Sequence, residues 1–137
     1  MPVIRLTYEN FLGKSRQTPQ DPLAASLAND KTVHVFALTR DLCAGCEIQK
    51  TLYEELADGV SQNHDDQVKF YSIHLSNQEQ FRDKLQDFRR ILKFAAYPTY
   101  LILLKTGFGA VEPYRAIEPP MKDIERNIDI AVELVTR

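Results

Sequence analysis

The only two cysteines in these 137 residues stand three positions apart, in Cys43-Ala44-Gly45-Cys46. A β-branched, mostly apolar run, Val33-His34-Val35-Phe36-Ala37-Leu38, precedes them, and an amphipathic run follows. A cysteine at such a strand-to-helix junction lies at a helix N-terminus, where unpaired N–H groups and the helix dipole favour negative charge. A thiol there is drawn toward thiolate, the nucleophilic form. A second thiol one turn further on can resolve a mixed disulfide, so the chemistry this spacing permits is thiol–disulfide exchange.

Other chemistry is harder to build from these residues. A structural zinc site needs four ligands. His34, His64 and His74 are the only other soft donors and none has finger-like spacing, so no metal is expected. The plain alternative for the cysteines is two idle thiols at a helix start. Asp41 would oppose a thiolate at Cys43 and Arg40 would favour one; the sequence does not say which side chain faces the sulfur. His34 and His74 lie in or near a strand-like run and read as structural residues rather than bases. His64 reads as part of a solvated turn.

The elements that must position the pair follow from periodicity. Residues 3–8 alternate as a first strand, 9–21 read as a loop, and Pro22 to Asn29 as a short helix. Val33 to Leu38 is a central strand, with Thr39 to Leu42 as the turn into the cysteines. From Gly45 to about Val60, Ile48, Leu52, Leu56 and Val60 recur every fourth residue, with Tyr53 widening the stripe, which predicts a helix with that face on a sheet. Residues 61–66 read as a polar turn. Val68 to Leu75 is a strand, and Phe81, Leu85, Phe88 and Leu92 mark another helical face. The basic residues of that helix, Arg82 to Lys93, alternate with acids and read as a solvated face.

Thr99 to Lys105 reads as a buried strand and Gly107-Phe108-Gly109 as a hairpin loop. Val111 to Ile117 is a weaker strand, broken by Pro113 and therefore placed at an edge. A last helix follows Pro119-Pro120, with Ile124, Ile128, Ala131, Leu134 and Val135 as its apolar positions. The order β-α-β-α-β-α-β-β-α implies an α/β fold: a central mixed sheet, ending in an antiparallel hairpin and flanked by helices.

The length fits one domain spanning residues 1–137, and no linker or repeat interrupts it. A net charge of −2 creates no field to attract nucleic acid or an anionic membrane. The longest apolar run, Tyr100 to Leu104, is too short to span a bilayer. The first residues lack the apolar core of a signal peptide. The expected location is cytoplasmic, where disulfides are usually transient and catalytic.

This element order, with Cys-X-X-Cys after the second strand and Tyr97-Pro98-Thr99 before the fourth, resembles the thioredoxin superfamily. Val3 to Phe11 is similar to that family's opening strand and turn, so the resemblance covers nearly the whole chain. It implies that Cys43 is the nucleophile and Cys46 the resolving thiol. It also implies that Pro98 is a cis-proline beside the disulfide, and that the backbone of Tyr97 pairs with an extended substrate segment. Leu42, Ala44, Gly45, Tyr97 and Pro98 would then contact substrate.

The chain also departs from the family. Leu42 stands where a Trp is frequent, and Ala44-Gly45 replaces Gly-Pro. Ala37 takes the place of a buried acid, and Ser72 that of its lysine neighbour. Arg115 takes the place of a glycine after the last hairpin. The reading that results is a divergent thiol–disulfide oxidoreductase. It would act on a protein or small-thiol disulfide with an unidentified electron donor or acceptor. No cofactor is implied beyond the cysteines. The alternative is a binding module or redox sensor on the same fold, without turnover.

Overall fold

The computed structural model describes residues 3–6, 31–64, 67–75, 96–106 and 109–136. Five strands, β1 (Val3–Leu6), β2 (Val33–Arg40), β3 (Val68–Leu75), β4 (Thr99–Thr106) and β5 (Gly109–Ile117), form one mixed sheet in the order β1-β3-β2-β4-β5. β1 and β2 run parallel to β3, while β4 and β5 are antiparallel to their neighbours. Two helices are described, α1 (Ala44–His64) and α2 (Met121–Thr136). The expected helices over 22–29 and around 81–92 lie outside the described residues.

The alternation of strand side chains assigns the two faces of the sheet. Val33, Val35, Phe70, Tyr100, Ile102 and Leu104 point to the face carrying both helices. There they form one buried cluster with Tyr53, Leu56, Ala57 and Val60 of α1 and Ile124, Ile128 and Ala131 of α2. Phe36, Leu38, Leu101 and Leu103 point the other way and are buried too. Burial on both faces explains why β2 and β4 read as continuous apolar runs. β5 is an edge strand, as its proline predicts. At Pro113 the ladder slips, with Ile102 opposite Tyr114 but Leu104 opposite Val111. A bulge on an edge strand tolerates a residue without an N–H.

Three expectations need correction. β2 continues through Thr39 and Arg40, which pair with His74 and Leu75, so the turn into the cysteines is only Asp41 and Leu42. α1 runs on to His64, four residues into the expected polar turn. The buried stripe of α1 is Cys46, Gln49, Tyr53, Leu56, Ala57 and Val60, whereas Ile48 is 69% exposed and Leu52 45%. The stripe is rotated because Cys46 and Tyr53 both point inward. The Tyr53 hydroxyl donates to the Tyr71 carbonyl at 2.8 Å, with the Val35 carbonyl at 3.2 Å. Burial, first of all, holds that phenol well above its ordinary pKa, so it remains a donor. A buried tyrosine whose hydroxyl meets two strands fixes the rotation of its helix more strongly than an exposed leucine.

This rotation sets two opposite expectations for truncation. Leu56→Ala should cost about 2–5 kcal/mol of stability, the range for a buried leucine. Ile48→Ala should stay within about 0.5 kcal/mol, as for a surface site. Urea unfolding of both variants checks this; an Ile48→Ala loss as large as that of Leu56→Ala would restore the Ile48–Leu52 stripe.

Candidate active site

β2 ends against the start of β4, with Leu38 opposite Thr99. The turn leaving β2 and the bend entering β4 therefore meet at one end of the sheet. Cys43 lies between that turn and α1, and Cys46 is in the first turn of α1. The two are joined as a disulfide with Cα atoms 5.3 Å apart. Cys43 is half-buried, while Cys46 is only 6% exposed. The Cys46 backbone N–H donates to Cys43 Sγ at 3.1 Å. A helix-terminal donor thus points at the more accessible sulfur, where it favours negative charge.

Pro98 is buried, and the Tyr97–Pro98 peptide is cis. A methyl group added at Gly45 would lie 3.3 Å from Pro98 Cδ, so the proline ring packs against the cysteine motif. Ala44 is exposed and Gly45 half-buried. Leu42 is 97% exposed, with a left-handed φ of 56°. Tyr97 is half-buried with the Arg40 guanidinium 5.1 Å from its ring centroid, a cation–π geometry. Asp41, the other charge flanking the turn, accepts from His74 Nε2 at 2.7 Å. All seven residues singled out from the sequence thus lie on the β2–α1 connection, in the first turn of α1 or on the bend into β4.

Sequence reasoning missed Glu118. Its carboxyl lies against Gly45: a methyl added there would meet Glu118 Oε1 and come within 2.9 Å of Glu118 Cδ. Its N–H donates to the Pro98 carbonyl at 2.9 Å, and its φ is 47°. A left-handed backbone favours glycine and costs another residue about 1–2 kcal/mol. Glu118, and not Arg115, therefore stands where a glycine would be at home. Arg115 is paired in β5 opposite Leu101 and holds Glu112 at 2.6 and 2.9 Å. The bulge at Pro113 inserts an extra residue that counting along the chain does not detect. Among the described residues, the two non-glycine positions with positive φ, Leu42 and Glu118, both flank the cysteines. Backbone strain of this kind gathers at functional sites.

Beneath the disulfide, Ala37 and Ser72 are neighbours across β2 and β3. With Cys46 and Tyr53 they line a cleft of about 410 Å³. Ala37 and Ser72 carry no charge themselves; among the described residues Glu47, Lys50, Glu54 and His74 also line that cleft.

No family model and no curated protein matches this sequence. Solved structures do. Thioredoxin f from spinach chloroplast (long form) superposes with a TM-score of 0.64 at 21% identity, over 95% of this chain and 86% of that one. A thioredoxin from Trichomonas vaginalis gives 0.61 at 13% identity, over 93% and 96%. Thioredoxin f2 in its complex with ferredoxin:thioredoxin reductase gives 0.63 at 13% identity, over 95% and 94%. The chain has the thioredoxin fold.

The Glu118 carboxylate lies against Gly45, inside the cysteine motif, where it disfavours further negative charge. Glu118→Gln should therefore speed alkylation of reduced Cys43 at neutral pH by up to about fivefold, the scale of an exposed charge–charge interaction. Iodoacetamide labelling read by mass spectrometry measures it. An unchanged or slower rate would show that the carboxylate does not act on the sulfur.

Proposed function

We propose that this protein is a thiol–disulfide oxidoreductase in which Cys43 is the nucleophile and Cys46 the resolving thiol. One observation carries the reading: an accessible sulfur at the start of α1 faces an N–H donor, and its partner sulfur is buried one turn inside. In the reduced protein, the Cys43 thiolate attacks one sulfur of a substrate disulfide. A Cys43–substrate disulfide forms and the other substrate sulfur leaves as a thiolate. Cys46 then loses its proton and attacks Cys43 Sγ, releasing the second substrate thiolate and closing the Cys43–Cys46 disulfide. The substrate gains two electrons and the cysteine pair loses them. An external thiol or reductase returns the pair to the dithiol.

Leu42, Ala44, Gly45, Tyr97 and Pro98 are the proposed contacts for a protein or small-thiol disulfide. Exposed Leu42 and the half-buried ring of Tyr97 supply apolar surface beside the sulfur. Backbone groups of Tyr97 would pair with an extended substrate segment. Among the described residues no helix is long and apolar enough to cross a membrane. A cytoplasmic location suits a pair that must cycle between its two states.

Trapping tests the assignment. Cys46→Ser should accumulate a mixed disulfide through Cys43 when given a disulfide-bonded protein such as insulin, whereas Cys43→Ser should trap little. Mass spectrometry of the adducts, together with insulin reduction by the unaltered protein, reads the result. Trapping through Cys46 instead would reverse the roles. No adduct and no insulin reduction would favour a binding module, and partner binding that changes with the redox state would favour a sensor.

A further inference from the structure

The proposed reaction needs a base for Cys46. Ala37 and Ser72, opposite each other on the paired strands that line its cleft, supply none. One step toward the active-site end, on the same face, Thr39 is opposite His74. These two side chains line the same cleft as Cys46. They also touch each other, with Thr39 Oγ1 3.0 Å from His74 Nδ1. The other ring nitrogen, Nε2, is 2.7 Å from Asp41 Oδ1. An ionised carboxylate only accepts, so Nε2 carries a proton and, in the neutral ring, Nδ1 accepts from the Thr39 hydroxyl. This is the tautomer in which the histidine can take up one more proton, with Asp41 placed to stabilise the imidazolium.

We propose that Asp41, His74 and Thr39 form a proton relay that serves Cys46 through the cleft beneath it. The inference rests on Cys46 being the resolving thiol. A water in the cleft has Thr39 and Ser72 hydroxyls as partners and bridges the thiol to the relay. As Cys46 Sγ attacks the mixed disulfide, its proton passes to that water, the water gives one to Thr39 Oγ1, and the Thr39 proton moves to His74 Nδ1. The relay ends with one proton more, on His74, which solvent later removes. The Cys46–Cys43 bond forms as the Cys43–substrate bond breaks. His74 is half-exposed and able to return its proton, and Thr39 is a positioning residue that conducts it. Among the described residues, the charged groups lining the same cleft are Arg5 from β1 and Glu47, Lys50 and Glu54 from α1. Arg5 is 3.6 Å from Glu54, so these two largely offset each other.

The test separates the two half-reactions. Formation of the mixed disulfide is followed in the Cys46→Ser background. Its resolution is followed in single turnover with both cysteines present. In the unaltered protein, resolution should depend on pH, because a protonated His74 ring cannot accept. His74→Gln should lose that dependence and slow resolution at neutral pH by at least about tenfold, while leaving attack by Cys43 unchanged. Thr39→Val should reproduce the slowing, and Thr39→Ser, which keeps the hydroxyl, should restore the rate. A His74→Gln profile that overlays the original, in a folded protein that still forms the mixed disulfide, would overturn the relay. Absence of any mixed disulfide in the Cys46→Ser background would overturn the oxidoreductase reading instead.

Discussion

The antiparallel register of β2 with β4 is the constraint on which the site depends. With Leu38 opposite Thr99, the residues leaving β2 and those entering β4 have no freedom to separate. The cysteine turn and Pro98, distant in sequence, are carried to one place by the ladder of backbone hydrogen bonds between β2 and β4. β5 adds the third wall. Its pairing with β4 ends at Ile117 opposite Thr99, so Glu118 leaves the sheet at Pro98 and bonds its carbonyl. Gln49 of α1 then donates to the Pro119 carbonyl at 2.8 Å, which ties the helix carrying Cys46 to the same exit. A shift of one residue in the β2–β4 register would reverse the faces and remove Ala37 from beneath Cys46.

The central strands β2 and β4 were legible because they are buried on both sides. Their side chains are mostly apolar, and each run ends where polar or turn-forming residues begin. The cysteine pair and Tyr97-Pro98 were legible because few residue types can do what is asked there. The helix face was not, since Ile48 and Leu52 are as hydrophobic as Leu56 and share its spacing. What distinguishes the buried face is a polar contact, the Tyr53 hydroxyl on two strand carbonyls, and hydropathy carries no information about that. Glu118 was invisible for a related reason. Its role comes from a left-handed backbone at a strand exit, past a bulge, and a glutamate before two prolines does not advertise that conformation.

Ala37 and Ser72 show how a local substitution changes two things together. A carboxylate beneath Cys46 would be desolvated there, and an unpaired buried charge is costly. With Ala37 there the strands carry no such penalty, and from Val33 to Leu38 His34 alone interrupts the buried apolar run of β2. The consequence is a cleft rather than a filled interior beside the buried Cys46 sulfur, the thiol that must lose a proton in the proposed reaction. A cleft with hydroxyls on its walls admits water, and water is the one conductor able to connect a buried sulfur to an exposed base.

The charges around the disulfide are arranged so that each is answered locally. Arg40 lies over Tyr97, Asp41 holds His74, and Arg5 lies near Glu54. Glu118 is pressed against Gly45, where its charge also helps to raise the Tyr100 phenol above its ordinary range, though burial is the larger cause. A surface of this kind exerts little long-range pull on a charged partner. If the proposed reaction holds, selection among substrates falls to short-range fit: the exposed Leu42 and Ile117 side chains, the Tyr97 ring, and a backbone edge beside Pro98. Because the Glu118 carboxyl lies against Gly45 within that surface, a chain docking there would have to displace the carboxylate or present a donor to it. A donor, or a basic side chain, next to the disulfide would meet the carboxylate at no loss of contact with the apolar rim. An acidic neighbour would meet repulsion at the same place, so under that reading the residue with the left-handed backbone at the strand exit is also the one placed to discriminate between partners.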